Sequence, residues 1–112
     1  MERKIPRKPY EVSDRFEESR IQIFEYGVET FGYFQAERYD KNIEQSISTL
    51  SCFYTAYPEC RHLATKNRIY RNIILDAHLI IYRITDERIE ILDIVHSASS
   101  IRKIRGVRHI HP

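Results

Sequence analysis

Tyr70 to Ser100, YRNIILDAHLIIYRITDERIEILDIVHSASS, decides how this chain folds. Three apolar runs rich in β-branched residues lie within it: Asn72 to Leu75, Leu79 to Ile84 and Ile89 to Val95. Asp76-Ala77 and Asp86-Glu87 separate them, and such short polar breaks predict a meander of three antiparallel strands. Side chains alternate across a strand. In the middle run His78, Ile80, Tyr82 and Ile84 are expected on one face, with Leu79, Ile81, Arg83 and Thr85 on the other. Both faces are largely apolar, which marks this strand as central. In the last run Ile89, Ile91, Asp93 and Val95 are expected to oppose Glu90, Leu92, Ile94 and His96. The rest of the chain must cover this sheet.

The cover lies upstream. Ser13 or Asp14 is placed to cap a helix, and Glu17 stands three residues after Asp14 as a capping box requires. Ile21, Phe24, Val28 and Phe31 then recur at helical spacing, with Glu17, Glu18, Arg20, Glu25 and Glu29 on the other sides. Gly32 is a natural stop. A second helix from near Phe34 carries the stripe Ala36, Tyr39, Ile43, Ile47, Leu50 and Tyr54 and ends before Pro58, so the two form an αα-hairpin. Pro9 to Val12 has the composition of a short edge strand, after a basic arm at Met1 to Pro9 expected to be flexible. Downstream of the meander, SASS caps a short helix to Ile104, and a basic tail at 105–112 follows. The expected class is α+β, with a short N-terminal strand, a helical hairpin on a three- to four-stranded antiparallel sheet, and a short C-terminal helix.

At 112 residues the chain is expected to be a single domain, residues 1–112. No apolar run approaches the ~20 residues of a membrane span, and no apolar stretch follows the charged start MERKIPRKPY, so a cytoplasmic protein without membrane association is expected. Cys52 and Cys60 form no CxxC and are expected to be reduced thiols. Cys60 and His62 lack a second pair at zinc-site spacing, and three glycines leave no material for a phosphate loop. Neither a metal nor a cofactor is expected.

Charge is divided along the chain. Glu11 to Glu59 holds four basic and ten acidic residues, whereas Cys60 to Pro112 holds ten basic and five acidic. Such a division suits an anionic partner, either nucleic acid or an acidic protein segment.

The order of elements from about Tyr10 to Ile104 resembles the RelE/ParE superfamily of bacterial toxins from type II toxin-antitoxin systems. HLIIYRITDERIEILDIVHSASSI carries the resemblance most specifically, through Tyr82, Arg83, Asp86, Ile91 and His96. Arg71 looks like the arginine that many members place on the first meander strand. One fold here serves two activities. RelE-like members cut messenger RNA on the ribosome with a basic cluster, and the places of that cluster are held here by Ile73, Leu79 and Ser99. Arg71, Arg83 and His96 are the catalytic candidates if the chain is a ribonuclease. ParE-like members poison DNA gyrase, and the Tyr-Arg and His pattern favours that branch, with an inert antitoxin-binding member as a third alternative. Enzymatic activity is thus left open, leaning against. Either branch implies plasmid stabilisation as a role and a cognate antitoxin that lays an acidic, amphipathic segment on the toxin in an oligomeric complex. Arg71, Tyr82, Arg83, His96, Arg102 and Lys103 are the residues expected to contact antitoxin or target.

Overall fold

The computed structural model describes residues 5–112. The elements run β1 (Tyr10–Val12), α1 (Asp14–Phe31), α2 (Tyr33–Ser48), α3 (Leu50–Phe53), β2 (Tyr70–Ile74), β3 (His78–Ile84), β4 (Ile89–His96) and α4 (Ile101–Gly106). A 3-10 turn at Val107–His109 closes the chain. The three-stranded meander is present as read, in the order β1-β4-β3-β2 once the N-terminal strand is added. β1 pairs with β4 in parallel, Tyr10 against Ile89 and Val12 against Ile91, so the sheet is mixed and not antiparallel throughout.

Ser13 is the cap of α1. Its hydroxyl accepts from the Phe16 N–H at 3.0 Å and donates to the Leu92 carbonyl, so one side chain starts the helix and ties it to β4. Gly32 joins α1 to α2 at φ 91°, a backbone conformation that disfavours any side chain. Gly27 lets the two helices approach closely, since a Cβ there would lie 3.2 Å from that of Ala36. The hairpin buries Phe16, Ile43, Ile47 and Leu50 against Ile73, Ile80, Tyr82, Ile89, Ile91 and Ile94 of the sheet.

The apolar face expected for α1 is only partly covered. Ile21 and Phe31 are exposed, and Phe16 is the one fully buried residue of the helix. At ~1.5 Å per residue the helix is roughly 27 Å long, and Phe31 stands at its exposed end.

A second core lies on the opposite face of the sheet. Ile81, Leu92 and Val95 meet Cys60 and Leu63 of the β2-preceding loop and Ile104 and Val107 of the C-terminal segment. The strict alternation expected for β4 fails at a bulge. Ile81 pairs with Asp93 but Tyr82 with Ile91, so β4 contributes one extra residue there. Ile89, Ile91 and Ile94 consequently face the hairpin while Leu92 and Val95 face the C-terminal segment.

The expected flexible arm divides. Met1 to Lys4 lie outside the described residues. Pro6 to Lys8 are docked: the Tyr54 hydroxyl donates to the Pro6 carbonyl at 2.7 Å, and the Lys8 N–H to the Ser51 carbonyl at 3.1 Å. Lys8 also carries its ammonium 5.5 Å from the centre of the Tyr54 ring.

Candidate functional site

The three catalytic candidates do not meet. Tyr82 and Arg83 are neighbours on β3 and point to opposite faces, and their cross-strand partners on β2 are Arg71 and Tyr70. Arg71 therefore lies on the hairpin side and Arg83 on the other. His96 pairs with His78 at the far end of β3, five residues from Arg83, or roughly 17 Å at ~3.3 Å per residue.

Both arginines are engaged in building the fold. Arg71 donates to the carbonyls of Arg68, Thr55 and Tyr57 at 2.9, 3.1 and 2.9 Å, holding the loop before β2 against the sheet. Arg83 is 7% exposed and pairs with Glu90 at 2.7 Å. It also donates to the carbonyls of Arg108 and Ile110, so it anchors the C-terminal segment over the second core. Burial works against the Arg83 charge, but Tyr70 and Glu90 outweigh it and raise its pKa above the ordinary value. Burial works against the Glu90 carboxylate too, yet Arg83 and Arg88 hold it below its usual range. Tyr82 is fully buried, with its hydroxyl on the Tyr54 carbonyl at 2.6 Å, and this packing withdraws it from any contact surface. Of the residues expected at a partner surface, His96, Arg102 and Lys103 are exposed.

A cleft of about 620 Å³ opens between the hairpin and the His78–His96 end of the sheet. Its size is that of small-molecule and side-chain sites, which run to roughly 300–1,000 Å³. One wall is apolar, from Ile23, Phe24, Tyr26 and Phe31; the other carries Asp76, His78, His96 and Lys103. The Tyr39 hydroxyl reaches across to His78 Nδ1 at 2.7 Å. Burial lifts the Tyr39 phenol above its ordinary pKa, so it stays protonated. Asp40, also on the cleft, is neutralised by Arg20 at 2.7 Å. The bulge in β4 is what turns His96 toward this side, where its ring centre lies 5.6 Å from that of His78.

The hairpin tip extends the apolar wall into solvent. Tyr26, Phe31, Tyr33 and Phe34 are 64%, 59%, 56% and 86% exposed, which is unusual for four clustered rings and is the composition of protein contact surfaces. Tyr39 and His78 were readable only as core and strand residues, because the contact between them joins elements 39 positions apart. The tip had a visible signal: Phe31, Tyr33 and Phe34 crowd around Gly32 at the junction of the two helices.

Among the described residues no group of three or more His, Cys, Asp or Glu side chains is arranged to hold a metal. Cys52 and Cys60 are both free thiols, Cys60 buried. Among the described residues no helix is long and apolar enough to cross a membrane.

No protein of curated function matches the sequence. Among solved structures, one described as the chromosomal ParDE TA system from P. aeruginosa is similar, with a TM-score of 0.66 over 80% of this chain and 95% of that chain. The two are 15% identical, which bears on the fold alone. The model of the ParE toxin of the type II toxin-antitoxin system parDE matches residues 10–101, from the first strand to the start of α4, and the chain belongs to that family.

Proposed function

We propose that this chain arrests growth by binding a protein target, DNA gyrase, and that a cognate antitoxin silences it by occupying the cleft beside the hairpin. The observation that carries this reading is the fate of the arginines. Arg71 and Arg83 are bound to backbone carbonyls on opposite faces of the sheet, so they are not free to converge on a scissile phosphate. Phosphodiester cleavage needs groups within hydrogen-bond reach of one reacting centre. Binding needs only a surface, and the cleft with its aromatic tip supplies one.

The antitoxin segment that fits is amphipathic, with an apolar face on Ile23, Phe24 and Phe31 and acidic residues toward Lys103, Arg102 and His96. Such a pair would serve plasmid stabilisation and act in the cytoplasm, where gyrase works. A ribosome-dependent ribonuclease is the second reading. It is favoured by the two imidazoles and Lys103 on one wall of the cleft, in place of the arginine set.

The two are separated by expressing the chain without antitoxin in growing cells. Gyrase-dependent DNA breaks with intact messages are the expected result. Messages cut within codons, with unbroken DNA, would replace the first reading by the second. Normal growth with a folded, soluble chain would leave the inert alternative.

A further inference from the structure

We propose that His78 and His96 form an acid-sensitive junction that couples the open end of the sheet to the turn leading into α4. Its geometry rests on two hydrogen bonds. His78 Nδ1 meets the Tyr39 hydroxyl of α2 at 2.7 Å, and His96 Nδ1 accepts the Ala98 N–H at 3.0 Å, folding the chain back two residues after β4. The two rings stand edge to face, 5.6 Å apart, across the β3–β4 pair His78–His96.

The two bonds respond differently to a proton. A phenol donates or accepts, so Tyr39 keeps a bond to His78 in either state. A backbone N–H only donates, so a protonated His96 has nothing to offer Ala98. Charging both rings also sets two cations side by side. The surrounding groups do not relieve this. From α1 the neighbours are Ser19 and Gln22, both neutral, and from α2 they are Tyr39 and an Asp40 already held by Arg20. The β2–β3 turn brings only the exposed Asp76, and α4 brings Lys103, a like charge. Asp93 on β4 accepts from Ser19 and from the Ile94 N–H. None of the ion pairs among the described residues includes a histidine.

Burial, and then the neighbouring His96, hold the His78 pKa below the ordinary histidine value. The sign follows. Above that ordinary value His78 is neutral whether folded or not, and its contribution is complete. As pH falls below it the unfolded chain takes the proton first, and stability is lost. Acid thus weakens the packing around His78, while a proton on His96 releases the Ala98 N–H and loosens the turn that leads into α4.

The test uses the free protein and needs no antitoxin. Histidine side-chain resonances and amide hydrogen exchange are followed between about pH 7.5 and about pH 5.5, with exchange corrected for its intrinsic pH dependence. Exchange at Ala98 is expected to rise about tenfold on acidification, the loss of one bond of ~1.4 kcal/mol. His96→Asn is the informative variant, because asparagine also accepts from the N–H two residues on but takes up no proton. It should keep Ala98 protected at both pH values and raise the His78 midpoint. Ala98 protection that is flat with pH in the wild type would overturn the proposal, as would an unchanged acid response in His96→Asn.

Discussion

Removing the Arg83 guanidinium leaves Glu90 in a buried site with Arg88 as its remaining partner, and releases the Arg108 and Ile110 carbonyls from their donor. Loss of one member of a buried pair is costly because the other charge stays desolvated. Arg83→Ala should destabilise the fold by about 3 kcal/mol in chemical denaturation, whereas Arg83→Met with Glu90→Met should recover most of that loss. The cysteines give a second residue-scale expectation. Burial, then the Glu59 carboxylate, push the Cys60 thiol up to about 11, while Cys52 is exposed. At about pH 8, iodoacetamide should label Cys52 in the native protein and reach Cys60 only after unfolding, as peptide mass spectrometry would record. Sequence identified Arg83 as special but not in what way. A basic residue in an otherwise apolar strand reads as a surface contact until its carboxylate partner and the returning tail are known, and both lie elsewhere in the chain.

The hairpin and the meander were legible because each is written in local periodicity. Ser13, Gly32 and the stripe from Ala36 to Tyr54 gave the helices, and the breaks at Asp76 and Asp86 gave the strands. The bulge was not legible, since it depends on which residue of β4 faces Tyr82, and the sequence from Ile89 to Val95 alternates well enough without it. Its effect is large: it exchanges the faces expected of Ile94 and Val95, and it brings His96 to the cleft. The direction of β1 was hidden for a similar reason, as three residues carry no record of their partner. Two substitutions test these elements. Gly32→Ala places a side chain at φ 91° and should cost about 1–3 kcal/mol, read as a lower Tm without loss of helix by circular dichroism. Ser13→Ala removes both the α1 cap and the bond to the Leu92 carbonyl, and should cost about 1–2 kcal/mol by the same measurement.

On the scale of the molecule, the sheet is a wall with a core on each side, one roofed by the hairpin and the other by the loop before β2 together with the C-terminal segment. Val107 and Ile110 belong to that second roof. A chain ending at Gly106 should therefore bind a hydrophobic dye and melt at a lower temperature, even though the residues removed include no strand and little helix. The charge division seen in the sequence survives folding in part: Arg71 and Arg83 are absorbed, and Arg102, Lys103, Arg105 and Arg108 remain at the surface. The parallel edge strand has a further consequence, for the timing of synthesis. Ser13, which follows β1, is bonded to Leu92 across 79 residues of chain. On a ribosome the first strand emerges early and must wait for the intervening helices and strands before its place beside β4 exists. The hairpin can form while the chain is growing, but the sheet beneath it cannot close, so an interrupted translation product has no complete core. The parallel edge thus takes its place only after β4 has been made.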